Sequence, residues 1–174
     1  PVYSRSLTLL GVASKKGLRH GQDHLISPLD MLISCCRDTD PTTRKFACFA
    51  VGNAAFHNAD LYHSMTKCNA VKGLSNALVD DDEKTRANAA GALGNLMRNG
   101  PQLCSAICEQ EVIGALIHMA LHDSDQSPQR IALFSLGTMA SFPECRKLML
   151  NLSPSVRDVF RSLTTSSQSS KTPP

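Results

Sequence analysis

Tryptophan is absent from this 174-residue sequence, and six phenylalanines and two tyrosines are its only aromatic residues. This composition suits stacked helices better than a β-sandwich core. No apolar run approaches the ~20 residues that a transmembrane helix needs, so we expect no membrane segment. The formal net charge is only +3, and the single basic cluster, at 15–20, has no interleaved aromatic residues. We therefore expect no nucleic-acid partner.

A secretory signal peptide is also lacking, and the first residues look like an internal part of a longer protein. The seven cysteines are an odd number, and most of them fall on apolar helical faces. Free cysteine on such a face behaves as a small apolar residue. These features favour a reduced, intracellular protein, which we expect in the cytoplasm.

One stretch of small residues returns along the chain at a nearly constant spacing. Copies at 40–54 and 82–96 share residues displaced by 42 positions, with a weaker copy at 125–138 and a remnant at 9–13. A helical pattern that returns every 40–47 residues is the signature of armadillo or HEAT arrays. The shared residues are Asp40, Arg44, Gly52 and Asn53 in the first copy, and Asp82, Arg86, Gly94 and Asn95 in the second; the repeated glycines are Gly11, Gly52, Gly94 and Gly137.

Each copy begins with a helix-start signal. Asp40 precedes Pro41, which suits an N-cap followed by the first helical residue, and Asp82 stands in the same place before Glu83. A glycine inside a helix costs roughly 1 kcal/mol relative to alanine. Its return at one position in every copy therefore predicts a close contact between neighbouring helices.

We predict an all-α, right-handed α-solenoid of armadillo or HEAT type, with about three full repeats plus flanking helices. Each repeat should contain two shorter helices followed by a long one, which is the armadillo order. The predicted repeat domain covers residues 1–163, and a disordered Ser/Thr/Pro-rich tail covers 164–174. The domain should comprise a partial first repeat at 1–25, repeats at 27–68, 69–111 and 112–152, and a capping helix at 153–163.

Two helical segments carry a family resemblance. Residues 45–55 read KFACFAVGNAA, and residues 86–96, one repeat later, read RANAAGALGNL. This pairing resembles the C-terminal armadillo repeats of the Fused family of serine/threonine kinases, over roughly 29–150. Related kinases of the Unc-51-like group carry similar arrays and remain an alternative.

The resemblance implies a non-catalytic region of a kinase, and the sequence contains no Gly-rich phosphate loop, HRD or DFG motif. It also implies roles in Hedgehog signalling or in assembly of the central apparatus of motile cilia, so the cilium or axoneme is a second expected location. The partners that it implies are kinesin-like proteins, other pathway components or related kinases.

Armadillo arrays bind extended peptides through asparagines on their long helices, and Asn53 and Asn95 match that position. An amide both donates and accepts hydrogen bonds, so it can bind a peptide main chain of any sequence. The alternative is that both asparagines only hydrogen-bond neighbouring repeats. Gly91 would leave space for a partner side chain. The predicted groove consists of Asn53 and Asn95 with Phe49, His57 and Asn99 one turn away, and Thr138 at the third repeat, where the asparagine ladder breaks.

Other repeated or clustered residues give weaker indications of a functional site. Arg44 and Arg86 each follow an aspartate by four residues, which predicts a local ion pair that also links repeats. Cys104 and Cys108 precede His118 and His122 with a spacing that superficially resembles a zinc finger, but both pairs fall within repeat helices. We expect no metal, cofactor or catalytic residue.

Two further functions stay open. A structural subunit of a ciliary or microtubule assembly would use the convex or end surfaces of the array. A peptide-binding adaptor unrelated to kinases, such as a nuclear-transport type, would normally carry tryptophan beside each asparagine. An uncapped first repeat would expose apolar surface and favour either a homodimer through that end or a further upstream layer.

Overall fold

A computed structural model describes residues 27–57, 59–99, 101–109 and 111–152 of the chain. Within these ranges every regular element is helical. The α-helices are α1 (Pro28–Cys35), α2 (Pro41–His57), α3 (Tyr62–Lys67), α4 (Ala70–Asn76), α5 (Glu83–Asn99), α6 (Cys104–Glu109), α7 (Val112–His122), α8 (Gln126–Met139) and α9 (Pro143–Leu152). Short 3-10 turns at Ala59–Leu61, Ala77–Val79 and Pro101–Leu103 flank α3, α4 and α6.

Helix starts follow the local signals in the sequence. Ser27 caps α1 by accepting the Asp30 N–H at 3.1 Å, and the Asp40 carboxylate accepts the Thr43 N–H at 2.9 Å at the start of α2. Asp82 caps α5 in the same way, with a 2.8 Å bond from the N–H of Thr85. Asp125 precedes α8 but makes no capping bond, because its carboxylate accepts hydrogen bonds from other side chains.

The three long helices α2, α5 and α8 lie side by side, with α5 in the middle. Two of the repeated glycines stand at their closest approaches. A Cβ atom at Gly52 would lie 3.1 Å from the Cβ of Ala92, and one at Gly94 would lie 2.6 Å from the Ser135 Oγ. Glycine therefore sets the spacing at these two contacts, which confirms the predicted close approach for Gly52 and Gly94. At Gly137 nothing lies within 4 Å of such an atom.

The shorter helices cover one side of this row and complete a continuous core. Helix α4 packs on α5, α7 packs on α8, and α9 contacts α6 and α7. Tyr62, only 1% exposed, joins two layers, since its hydroxyl donates to the Ala55 carbonyl at 2.7 Å and also contacts the Asn95 carbonyl at 3.4 Å. None of the described helices has the length and apolar character that a membrane crossing requires.

The predicted α-solenoid is confirmed, as is the order of two shorter helices and one long helix, seen at 59–99 and again at 101–139. The repeat boundaries themselves stay a prediction. The partial first repeat at 1–25, the capping helix at 153–163 and the tail at 164–174 lie outside the described residues.

Candidate functional site

Three rows of side chains, one from each long helix, form a common face. Their spacing of three or four residues places each row on one side of its helix. Every member is half-buried or exposed. We call this surface the ladder face; its residues are Thr42, Phe46, Phe49, Asn53 and Phe56 of α2, Lys84, Asn88, Gly91, Asn95 and Arg98 of α5, and Ser127, Ile131, Phe134 and Thr138 of α8.

The predicted ladder residues Asn53, Asn95 and Thr138 differ in their hydrogen bonds. The Asn95 amide donates to the Gly52 carbonyl of the preceding layer at 3.1 Å. Asn53 is half-buried and its side chain makes no hydrogen bond to any residue in the described part of the chain. Thr138 instead donates to the Phe134 carbonyl of its own helix at 3.3 Å. The Asn95 amide thus links repeats and still has a second N–H and its oxygen.

A second asparagine on α5 makes the same kind of link. The Asn88 amide donates to the carbonyl of Lys45, one layer back, at 3.0 Å. Asn88 precedes Asn95 by seven residues, or two helical turns. The two bonds that hold α5 against α2 are therefore separated by about 10 Å along α5. Asn88 was not among the predicted groove residues, although it lies on the same helical face as Asn95.

Aromatic side chains stand on both outer rows of the ladder face, those of α2 and α8. His57, exposed at the end of α2, meets the Phe56 ring edge-on at 4.9 Å, and the Arg98 guanidinium lies 5.1 Å from the centre of that ring. Phe134 is 69% exposed on α8. Phe134 was not among the predicted groove residues, although a shift of 43 residues aligns it with Gly91. The side chain of Asn99 lies outside the described residues.

The repeated arginines link layers through partners that are distant in sequence. The Arg44 guanidinium forms a two-bond ion pair with the Asp80 carboxylate, at 2.5 and 2.9 Å. Arg86 pairs with Asp123 through two 2.8 Å bonds and with Asp125 at 2.9 Å. The predicted link between repeats is therefore right. The predicted local pairing with the aspartate four residues earlier is wrong, because those aspartates cap their helices.

These ion pairs, which we call the arginine bridges, are largely shielded from solvent. The side chains of Arg86 and Asp123 are only 12% and 6% exposed. Each arginine also donates to carbonyl groups of the turn before its own helix, as Arg86 does to Asp80 at 2.8 Å. The guanidinium partners hold the pKa of Asp80 and of Asp123 below the ordinary aspartate value.

Cysteines from two layers form a separate cluster. The sulfur of Cys145 lies 3.2 Å from that of Cys104 and 3.9 Å from that of Cys108. His118 and His122 do not belong to this cluster; their rings pack against each other at 5.1 Å. The zinc-finger comparison grouped Cys104 and Cys108 with His118 and His122, because nothing in the sequence near the two cysteines indicates Cys145 as their neighbour.

Comparison with known families agrees with this architecture, since residues 29–137 match the HEAT repeats. The chain belongs to the HEAT-repeat family. Designed armadillo repeat proteins have the same fold as this HEAT-repeat chain. One of them, in complex with the peptide (KR)4, superposes with a TM-score of 0.69 at 19% identity over 87% of this chain and 63% of that protein. Another, computationally designed for modular peptide recognition, gives 0.68 at 18% identity over 84% and 62%.

Curated relatives of this HEAT-repeat chain are kinases, as the Fused resemblance implied. Serine/threonine-protein kinase 36 of Pongo abelii is 31% identical over 148 residues, which are 85% of this chain and 11% of that protein. Serine/threonine-protein kinase TIO of Arabidopsis thaliana is 41% identical over 94 residues, or 46% and 7%. The chain thus spans about a tenth of the length of these relatives. Its described residues form helical repeats and no kinase domain.

Proposed function

We propose that this chain is a non-catalytic protein-interaction module of a Fused-type kinase, and that its ladder face binds an extended segment of a partner protein. The observation that carries the proposal is the alignment of Asn53, Asn95 and Thr138 on three adjacent helices. Hydrogen-bonding side chains spaced from helix to helix suit a peptide that crosses the row.

The two asparagines would contribute differently. Asn53 can offer its whole amide to a peptide main chain, because no described residue occupies it. Asn95 already donates one N–H to Gly52, which fixes the amide in place and leaves its oxygen and second N–H available. A side chain held in one orientation before binding loses less entropy when the partner arrives.

The charge and shape of the ladder face define the partner segment. Its described rows contain two cations, Lys84 and Arg98, and no acidic residue. Phe134 is exposed on one side of Gly91 and Phe49 is half-buried on the other, so an apolar partner side chain could lie over the glycine between two rings. We therefore expect a segment with acidic and apolar residues, unlike the basic (KR)4 peptide of the designed armadillo protein.

The biological setting of this proposal follows the Fused resemblance. Partners would be kinesin-like proteins, other pathway components or related kinases, in Hedgehog signalling or in the assembly of motile cilia. The module would then act in the cytoplasm or at the axoneme. The kinase relatives over most of this chain support the family, and the repeat architecture supports a binding role.

Pull-down from ciliated-cell extract tests the ladder face, with the wild type compared with the Asn53→Ala, Asn95→Ala double variant. We expect the double variant to bind its partner roughly 30-fold more weakly, because each lost amide hydrogen bond contributes about 1 kcal/mol. Circular dichroism establishes that both proteins are folded. Asn53→Ala alone should already weaken binding, and it removes no hydrogen bond within the described structure.

Ser135→Ala is the matched control. It removes a side-chain hydrogen bond between layers, from the Ser135 hydroxyl to the Ala90 carbonyl, as Asn95→Ala removes the bond to Gly52, and Ser135 is a buried residue outside the ladder face. Partner binding should survive in this variant. Retention of the partner by the double variant would mean that binding uses the ends or the convex face, as expected of a structural subunit, and that Asn95 only joins repeats.

A further inference from the structure

The thiol cluster, formed by Cys104, Cys108 and Cys145, joins two consecutive layers of the array. Cys104 and Cys108 stand one turn apart on α6, and Cys145 is the third residue of α9. All three sulfur atoms lie within 4.8 Å of one another. Cys104 and Cys145 are buried, while Cys108 is half-buried and gives access from solvent.

These distances are close to those of a bound zinc ion. Zinc–sulfur bonds are about 2.3 Å long, so two thiolates on a tetrahedral zinc lie about 3.8 Å apart. The Cys108–Cys145 separation of 3.9 Å already meets this geometry, and the Cys104–Cys145 separation of 3.2 Å needs to widen by roughly half an ångström. Rotations of the cysteine side chains suffice for such changes.

A carboxylate stands beside one of the three sulfurs. The Oε2 atom of Glu144 lies 4.0 Å from the Cys104 sulfur, and the Glu144 side chain is exposed. A zinc-bound carboxylate oxygen and a thiolate lie about 3.5 Å apart in tetrahedral geometry. Rotation of the exposed Glu144 side chain toward Cys108 and Cys145 would therefore bring its carboxylate to the fourth position.

Zinc binds cysteine as the thiolate, so metal uptake by the cluster releases the thiol protons to solvent. Cys145 also lies in the first turn of the ten-residue helix α9, where the helix dipole favours the thiolate that the metal needs.

We propose that Cys104, Cys108 and Cys145 are ligands of a zinc ion, with Glu144 in the fourth position. The ion would cross-link α6 to α9 and hold the last two described layers together. All four positions of a tetrahedral site would be filled by protein, which is typical of structural rather than catalytic zinc. This site does not depend on peptide binding at the ladder face. It also differs from our expectation, based on the sequence, that the chain binds no metal.

Titration of the reduced, metal-free protein with Co²⁺ tests the site, because cobalt takes the same ligands and is coloured. We expect one equivalent to give the visible absorption of tetrahedral cobalt and a thiolate-to-cobalt charge-transfer band with the intensity of three thiolates. Zn²⁺ should then bleach both bands. Zinc binding should also release close to three protons at neutral pH and raise the melting temperature.

Two variants with matched controls locate the ligands. Cys108→Ser replaces a half-buried thiol and should weaken metal binding by more than about 100-fold, since even outer-shell changes cost 10–100-fold. Cys68→Ser changes a half-buried cysteine outside the cluster and should bind like the wild type. Cys145→Ala should abolish binding, whereas Cys48→Ala, which also changes a fully buried cysteine, should not.

Two results would each overturn the proposal. One is a wild-type protein that gives no charge-transfer band with stoichiometric cobalt under reducing conditions. The other is a band that persists unchanged in the Cys108→Ser variant.

Discussion

Single missing Cβ atoms decide how closely the layers of this array approach each other. At Gly94, the place of a Cβ atom is occupied by Ser135, whose buried hydroxyl donates to the Ala90 carbonyl at 2.8 Å. Neither helix can move without disturbing this bond. Gly137 occupies the equivalent position one layer later, but no described atom stands close to it. The same residue type therefore has a packing role in one layer and none among the described residues of the next.

Alanine substitutions at these two glycines should have opposite effects. Gly94→Ala forces α5 and α8 apart and should lower the free energy of unfolding by about 2 kcal/mol, as overpacking does. Gly137→Ala meets open space and should raise it by about 1 kcal/mol, through better helix propensity. Urea unfolding of both variants measures the difference. Equal effects would show that the glycines do not set the layer spacing.

At the scale of elements, the arginine bridges connect the starts of α2 and α5 to the turns that precede the next long helices. Arg86 emerges from the first turn of α5 and reaches Asp123, which follows α7, and Asp125, which precedes α8. In α8, Gln129 takes the place of the arginine and donates only to the Asp123 carbonyl, at 2.7 Å. The series of charged links therefore ends at α8 within the described residues.

Replacement of Arg86 tests what such a link contributes. Arg86→Gln imitates Gln129 and can keep the bond to the Asp80 carbonyl, but it leaves the Asp123 carboxylate without its cation. We expect a loss of about 3 kcal/mol in unfolding free energy, because removing one partner leaves a shielded charge uncompensated. Arg130→Gln makes the same charge change at an exposed residue of α8 with no ion pair among the described residues, and it should change stability by less than about 0.5 kcal/mol.

At the scale of the whole molecule, the bridges make stability depend on pH. The arginines lower the folded-state pKa of Asp80 and Asp123 below the ordinary value of 3.8. Lowered carboxylate pKa values stabilise the folded state above the unfolded-state pKa, and this contribution disappears as pH falls through the folded-state pKa. Successive layers share this dependence, because each bridge spans two of them.

Acid unfolding should reveal this dependence directly. The free energy of unfolding should stay nearly level with respect to these two aspartates from pH 7 to about pH 4, and it should fall at lower pH. Chemical denaturation at a series of pH values measures the slope. In the Arg44→Gln, Arg86→Gln double variant the decline below pH 4 should be shallower than in the wild type. An unchanged slope would assign the acid sensitivity to other carboxylates.

Local signals made much of the fold predictable from the sequence. Asp40 with Pro41 marked the start of α2, and Asp82 before Glu83 marked the start of α5. Contacts between layers were harder to predict from the sequence. The Arg44–Asp80 pair joins residues 36 positions apart, and Cys145 meets Cys104 from 41 positions away. Such pairings depend on how far each layer is rotated against the last, which no short sequence window records.

The direction of the arginine bridges has a consequence for how such arrays grow. Residues 80–122 contain both an aspartate that receives an arginine from the layer before and an arginine that reaches the layer after. A tandem duplication of this segment would therefore produce a new layer whose charged groups already match both neighbours. A duplicate of the layer that contains Gln129 would not match its neighbour in this way. Asp123 of the second copy would face the neutral amide of Gln129 in the first copy, and not an arginine. Lengthening by gene duplication is thus easier from the middle of this array than from its α8 end.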